Sequence, residues 1–478
     1  MSNTLIGRTK EQETLRKALL SDESEMVAII GRRRVGKTFL IRSAYRERID
    51  LEFTGVQNAT RREQLESFHF LLQKYARRNT ILSLPKNWLE AFHQLITVLE
   101  NKNTAKKKKV IFFDELPWLA TKKSGFLKAL SFFWDNWASK NNIVVVICGS
   151  AASWMIQKVV KDKGGLHNRI TRRINLRHFT LAETETFLAS RHLKLNHFNT
   201  ILIYMIMGGI PHYLKEIQAG KSAIQNIDDI CFSEDGLLAD EFSNLYPALF
   251  EHSENHIAII RALAMKWKGL TRAEIIKLGN LSNGGGVTKA LDELIHSSFI
   301  SSYFPFGKKR KDKLYRLTDE YSLFYLHFIE RRRRNVKGSW QALSQTSTFK
   351  SWSGYAFESL CLKHIEQIKT ALQIGGIYSE SSSFFFAGNE SLPAIQIDLL
   401  IDRNDQVINL CGIKFQQSEF IISKSYAEQL QKKIAVFSEI SKTKKQIFLT
   451  MITTFGTTQN KHSLGLVDND LKMDVLFS

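Results

Sequence analysis

The segment Gly31-Arg32-Arg33-Arg34-Val35-Gly36-Lys37-Thr38 sets glycines around a short basic stretch, directly ahead of a lysine and a threonine. That spacing suits a phosphate chain. Glycines let backbone N–H groups turn inward around phosphate oxygens, and a helix opening at Thr38-Phe39 adds its positive end. Lys37 can reach the β- and γ-phosphates, and the Thr38 hydroxyl can ligate Mg²⁺. The expected ligand is ATP, or a related nucleoside triphosphate, with Mg²⁺. A second set is Val110-Ile111-Phe112-Phe113-Asp114-Glu115, four apolar residues followed by two carboxylates. Asp114 would hold the metal, directly or through water, and Glu115 would polarise the attacking water. A third apolar run, 143–148, ends in Gly149-Ser150. Ser150 either touches the γ-phosphate or the water, or is a turn serine.

These residues must be positioned by regular elements. Residues 27–31, 109–113 and 143–148 are short apolar runs that read as buried strands. Helical patterns begin at Thr38 and cover 87–100 and 125–138. Buried strands alternating with helices predict an α/β fold with a parallel sheet, whose ligands bind at the carboxyl ends of the strands. From about 181 to 250 helical patterns dominate. Residues 256–335 hold three short helices and two strands around the basic turn Gly307–Lys313, and the run Arg331–Arg334 closes this part. Residues 351–478 begin with a helix and continue with strands at 395–402, 406–415 and 445–453. Boundaries near 180, 250 and 340 divide the chain into a P-loop core (1–180), a helical lid (181–250), a winged-helix segment (251–340) and a C-terminal α/β domain (341–478).

Together these segments resemble the prokaryotic ATPases of the AAA+/STAND superfamily, in the archaeal-type group. Smaller marks carry the same resemblance. Gly7-Arg8, with Glu11 and Leu15, looks like the group's opening signature, which lies near the adenine. Gly149-Ser150-Ala-Ala-Ser-Trp-Met155 looks like its segment after the third strand. Gly208-Gly209-Ile-Pro211 resembles a lid turn that packs near the base. Leu166-His-Asn-Arg169 resembles a stretch whose arginine is a candidate finger for a neighbour's γ-phosphate. The other reading of Arg169, Arg172 and Arg173 is a solvated or DNA-facing basic stretch. If Arg169 acts in trans, the active form is an oligomer.

Residues 256–318 read as a winged helix-turn-helix. Thr271 caps the second helix, with Glu274 closing a capping box. Gly284-Gly-Gly286 is a turn, and Val287–Ser298 is the third helix. The wing runs from Phe299 to Phe304, through the basic turn, to Leu314–Leu317, and offers lysines to DNA phosphates. The third helix is weakly basic, because Asp292 and Glu293 oppose Lys289. Winged helices also contact proteins, and both uses stay open here. The aromatic clusters Phe112-Phe113, Phe132-Phe133 and Phe384-Phe385-Phe386 are expected in the core.

Residues 354–415 resemble the restriction-endonuclease-like fold that this ATPase group often carries. The resemblance assigns Glu358 on the first helix, Asp398 on a strand and Lys414 on the next strand. It expects a glutamate where Gly412 stands. Two carboxylates normally clamp Mg²⁺ at the scissile phosphate while the lysine positions water. With glycine there, a degenerate domain is expected, inactive or strongly impaired as a nuclease.

The chain of 478 residues has a net charge of +20, which predicts an acidic partner, DNA first. Its four cysteines are scattered, as in a reducing cytosol. No apolar run is long enough to cross a bilayer, and Met1–Gly7 lacks a signal peptide's features, so a cytoplasmic protein without membrane contact is expected. Three functional readings follow. The chain is an ATP-driven switch on DNA, an ATP-switched oligomeric protein scaffold, or an active DNA nuclease regulated by ATP.

Overall fold

The computed structural model describes residues 5–76, 80–101, 108–121, 123–162, 166–308, 312–330 and 339–478. The chain divides into two compact units. The first holds residues 1–178 with 248–251, and the second holds 179–247 with 252–478.

The first unit is built on five strands: β1 (Glu25–Ile30), β2 (Ile49–Thr54), β3 (Lys109–Asp114), β4 (Ile143–Gly149) and β5 (Arg172–Asn175). They pair in the order β2-β3-β4-β1-β5, every pair parallel. Successive side chains on a strand point to opposite faces, so the apolar runs supply two cores at once. Met26, Ala28, Ile30, Ile111, Phe113, Val145 and Ile147 pack on one face, with helices Arg61–Tyr75, Trp88–Asn101 and Phe126–Asn136. Val27, Ile29, Val110, Phe112, Val144, Val146 and Cys148 pack on the other, with helices Thr9–Leu20 and Lys37–Tyr45. The expected strands and helices are all present. β2 and β5 are additions to the sequence reading. In β2 the acid Asp50 hides the signal, and the fold satisfies it by accepting from the Val110 amide at 2.8 Å.

Adjacent phenylalanines can split between environments, by strand alternation at Phe384-Phe385 and by the turn of helix Phe126–Asn136 at Phe132-Phe133. Phe112, Phe113 and Phe133 are buried, but Phe132 is exposed. Phe384 is buried, while Phe385 is exposed. The expectation that these clusters are wholly core is therefore corrected at Phe132 and Phe385.

In the second unit, helices Glu254–Ala264, Arg272–Leu278 and Gly285–His296 precede an antiparallel hairpin of β6 (Ile300–Tyr303) and β7 (Leu314–Leu317). Thr271 and Glu274 form the expected capping box. The third helix starts at Gly285, so Gly285 and Gly286 belong to its first turn rather than to a separate one. Lys309–Lys311 of the basic turn and the run Arg331–Arg334 lie outside the described residues. A second sheet follows: β8 (Ser379–Phe386), β9 (Ile395–Arg403), β10 (Val407–Lys414), β11 (Gln446–Thr453) and β12 (Asn469–Lys472). Its order is β12-β11-β10-β9-β8, antiparallel from β8 to β10 and parallel from β10 to β12. Aromatic rings join the segments of this unit. Trp340 stacks on Phe232 at 6.0 Å and meets Phe324 and Trp352 edge-on.

His364 ties the same unit together. Its Nε2 accepts from the Leu181 amide at 3.1 Å, so its Nδ1–H donates to the Leu360 carbonyl at 3.0 Å. Both bonds need the neutral ring. Burial pushes the imidazole down to about 4. A histidine held neutral when folded gives stability that is complete above its ordinary value near 6.5 and lost as pH falls toward 4. Between pH 7 and pH 5 the expected loss is about 2 kcal/mol in urea unfolding. The same loss in a His364→Gln variant would assign it elsewhere. Among the described residues no helix is long and apolar enough to cross a membrane.

Candidate functional site

The loop after β1 turns into helix Lys37–Tyr45 through Gly36, whose φ of 91° is left-handed and favours glycine. Gly31 and Val35 are buried and Arg33 is exposed. Arg32 is also buried, Arg34 is left-handed at φ 74°, and Phe39 is half-exposed. Lys37 is buried, and its Nζ donates to the carbonyls of Gly31 at 2.9 Å and Arg32 at 3.0 Å. The ammonium is thus held on the loop itself.

Asp114, at the tip of β3, is where three donors meet. The Thr38 hydroxyl donates to Oδ2 at 2.8 Å. The Cys148 thiol donates to Oδ1 at 2.7 Å, and the Glu115 amide donates to the same oxygen at 2.9 Å. Burial, then the charge of Asp114, pushes the Cys148 thiol up, which keeps it a proton donor. Cys148 was not singled out by sequence. It reaches Asp114 because β3 and β4 run parallel with Phe113 opposite Ile147, which sets the next residues side by side.

Glu115 has a left-handed backbone, φ 47°. For a residue with a Cβ this costs about 1–2 kcal/mol, and such strain collects at working sites. Its carboxylate oxygen Oε2 accepts from the Ser150 amide at 3.0 Å and the Ser150 hydroxyl at 2.8 Å. Ser150 is thus bonded to Glu115, a contact that neither sequence reading of this serine named. The loop after β1 and the tips of β3 and β4 thus converge, bringing Thr38, Asp114, Glu115 and Ser150 into one bonded set, with Lys37 next to Thr38 in the chain. A hydroxyl and a carboxylate oxygen facing each other suit a hard divalent cation such as Mg²⁺.

Residues 5–217 match the family model of an ATPase domain predominantly from Archaea. Over this stretch the chain is similar to archaeal-type ATPase domains, and the first unit has a P-loop ATPase fold. The Walker-type ATPase of Pyrococcus abyssi has the same fold, with 17% identity over 67% of this chain and 96% of that one, at a TM-score of 0.50. The Aeropyrum pernix ORC2 protein is similar over 72% of this chain and 98% of that one, with 14% identity and a TM-score of 0.43. An uncharacterized protein of Methanocaldococcus jannaschii is 22% identical over 86% of this chain and 87% of its own length.

The other sequence candidates have contacts of their own. Gly7 and Arg8 form a left-handed turn before helix Thr9–Leu20, and Arg8 donates to the His178 carbonyl at 3.3 Å. Arg169 of the ATPase domain makes a two-pronged pair with Asp135, at 2.6 and 2.8 Å. Arg172 pairs with Glu25 at 2.6 Å, and Arg173 is exposed. Pro211 opens helix Pro211–Leu214 in the second unit.

The C-terminal candidates form a separate charged cluster in the second unit. Glu358 sits on helix Ser347–Lys363, with Arg316 of β7 at 3.5 Å. Burial and the charge of Asp398 push Glu358 up to about 7, against Arg316, Lys268 and Lys414. Asp398 on β9 accepts from the Gln396 amide group at 2.8 Å. Lys414 on β10 stands 5.2 Å from the Tyr426 ring centre. A Cβ on Gly412 would come within 2.9 Å of the Met451 sulfur. Among the described residues no group of three metal-ligating side chains gathers, here or elsewhere.

Proposed function

We propose that this chain is an Mg²⁺-dependent ATPase that works as a nucleotide-driven switch on DNA. The observation that carries the reading is the chain of hydrogen bonds Thr38–Asp114–Glu115–Ser150 beside the P-loop lysine. Lys37 and the loop N–H groups of residues 31–38 bind the phosphates. Thr38 and Asp114 hold Mg²⁺, which when bound neutralises charge on the β- and γ-oxygens. Glu115, aimed by Ser150, orients and deprotonates the attacking water. Gly7 and Arg8 are proposed at the base. Arg169 serves as a finger in a homo-oligomer, and to do so it leaves Asp135.

The DNA part of the proposal rests on the +20 charge and on three helices followed by a hairpin, read as a winged helix. The C-terminal domain is proposed as restriction-endonuclease-like and not a nuclease, since Gly412 removes a ligand and cations crowd the remaining carboxylates. A protein-scaffold reading draws on one observation. The Phe306 amide after β6 donates to the Ser383 carbonyl of β8 at 2.8 Å, so the turn segment of the hairpin is already engaged by the C-terminal sheet.

Steady-state ATP hydrolysis with Mg²⁺, with and without duplex DNA, tests the proposal. Activity should be raised by DNA and abolished in Lys37→Ala. Hydrolysis that ignores DNA would favour the scaffold, and activity that survives Lys37→Ala would refute the assigned site.

A further inference from the structure

The C-terminal cluster has the wrong charge for the divalent metal its resemblance implies. Two carboxylates, Glu358 and Asp398, face four cations. Arg316, Lys268 and Lys414 act on Glu358, and Lys433 feels Asp398, Lys414 and Lys268. Arg316 stands within ion-pair distance of Glu358, on a carboxylate a metal would need. Among the described residues, Lys268, Lys414 and Lys433 have no carboxylate within ion-pair distance. Two of them lie against rings instead: Lys414 on Tyr426 at 5.2 Å and Lys268 on Phe385 at 5.6 Å. A divalent cation brought here would meet repulsion from all four.

The same geometry favours an anion. Gln396, Asp398, Lys414, Tyr426 and Lys433 line one concavity with Gly412 at its wall. It holds about 30 Å³, roughly the room of one water, so an incoming group seats only its tip. Glycine at 412 keeps that wall free of charge. Lys433, partly buried, carries its ammonium at a cost that a bound anion relieves. The cations come from two segments: Lys268 and Arg316 from the helix-and-hairpin segment, Lys414 and Lys433 from the C-terminal sheet and its helix Lys424–Ser441.

We propose that this cluster is a metal-free docking site for a backbone phosphate of duplex DNA, held by Lys414 and Lys433 in the concavity, with Arg316 and Lys268 adding positive charge nearby. The site binds and does not cut. It rests on the DNA reading above and gives that reading an address. DNA is favoured over an acidic protein because the chain as a whole is strongly basic, and because a narrow seat fits a projecting oxyanion tip.

Fluorescence anisotropy of the full chain with a short fluorescent duplex, in EDTA, is the test. The native chain should bind without divalent metal. A Lys414→Gln/Lys433→Gln double variant should bind about tenfold more weakly, and its log K against log salt slope should be shallower by about 1. A Lys414→Arg/Lys433→Arg variant should keep both affinity and slope, which separates charge from folding. Inorganic phosphate should compete only at far higher concentration than unlabelled duplex. Equal competition would mean a free-phosphate site and overturn the proposal. Native binding with an unchanged slope in the Gln variant would overturn this site alone and leave DNA binding intact. A binding requirement for Mg²⁺ would return the cluster to metal chemistry. No duplex binding by the native chain, with poly-glutamate held and lost in the Gln variant, would assign the site to an acidic protein.

Discussion

Glu115→Gln should bind Mg·ATP as tightly as the native chain and hydrolyse it about 10²–10⁴-fold more slowly. The amide keeps the shape of the side chain. Its oxygen can still accept from the Ser150 amide and hydroxyl, which approach within 3.0 and 2.8 Å. The left-handed turn and the Asp114 bonds do not depend on the lost charge, since the Glu115 amide, not its side chain, donates to Asp114. What disappears is a group able to take a proton. Single-turnover hydrolysis beside a nucleotide titration separates the two effects. Near-native turnover in the variant would move the general base to another residue. Loss of binding alongside turnover would mean that Glu115 supports the loop rather than the chemistry.

Gly209→Ala should lower the stability of the second unit by about 1–3 kcal/mol or more. A Cβ at this position would meet the Phe179 carbonyl oxygen at 2.1 Å, with the Phe179 carbonyl carbon and amide nitrogen both at 2.8 Å. These are backbone atoms, and they are fixed. The Phe179 amide donates to the Gly209 carbonyl at 2.7 Å, and the buried Tyr204 hydroxyl donates to the Phe179 carbonyl at 2.7 Å. Gly285→Ala is the control. No heavy atom lies within 4 Å of its added Cβ, and it sits in a helix, so that variant should be neutral or up to about 1 kcal/mol more stable. Urea midpoints of the three proteins decide the matter, and equal midpoints for native and Gly209→Ala would show that Phe179 yields.

The parallel sheet and the meeting of the loop after β1 with the tips of β3 and β4 were legible because their signals are local. Apolar runs ending in glycine or in paired acids name strand and loop within a few residues. Cys148 was not legible, because its bond to Asp114 arises from the alignment of two strands far apart in sequence. β5 is short and mostly polar, Arg-Arg-Ile-Asn, so periodicity had nothing to grip. The Gly208-Gly209 turn was visible as a family mark, but its physical reason, the Phe179 backbone lying against it, needed the fold. At the C-terminal cluster the departure at Gly412 was plain in the sequence. The surplus of cations was not, since Lys268 and Arg316 come from a segment read as separate.

The strand order of the first sheet has a consequence for synthesis. β1 emerges from the ribosome first, yet its neighbours are late: Glu25 pairs with Val144, and Val27 with Arg172. β4 must slot between β1 and β3 before the lysine loop and the acidic tip can face each other. The early helices and β2 therefore wait, with apolar surface uncovered, until the chain through Asn175 has been made. Such long-range parallel pairing is slow and aggregation-exposed, so the nascent chain is most vulnerable in the interval between translation of its P-loop and translation of β5.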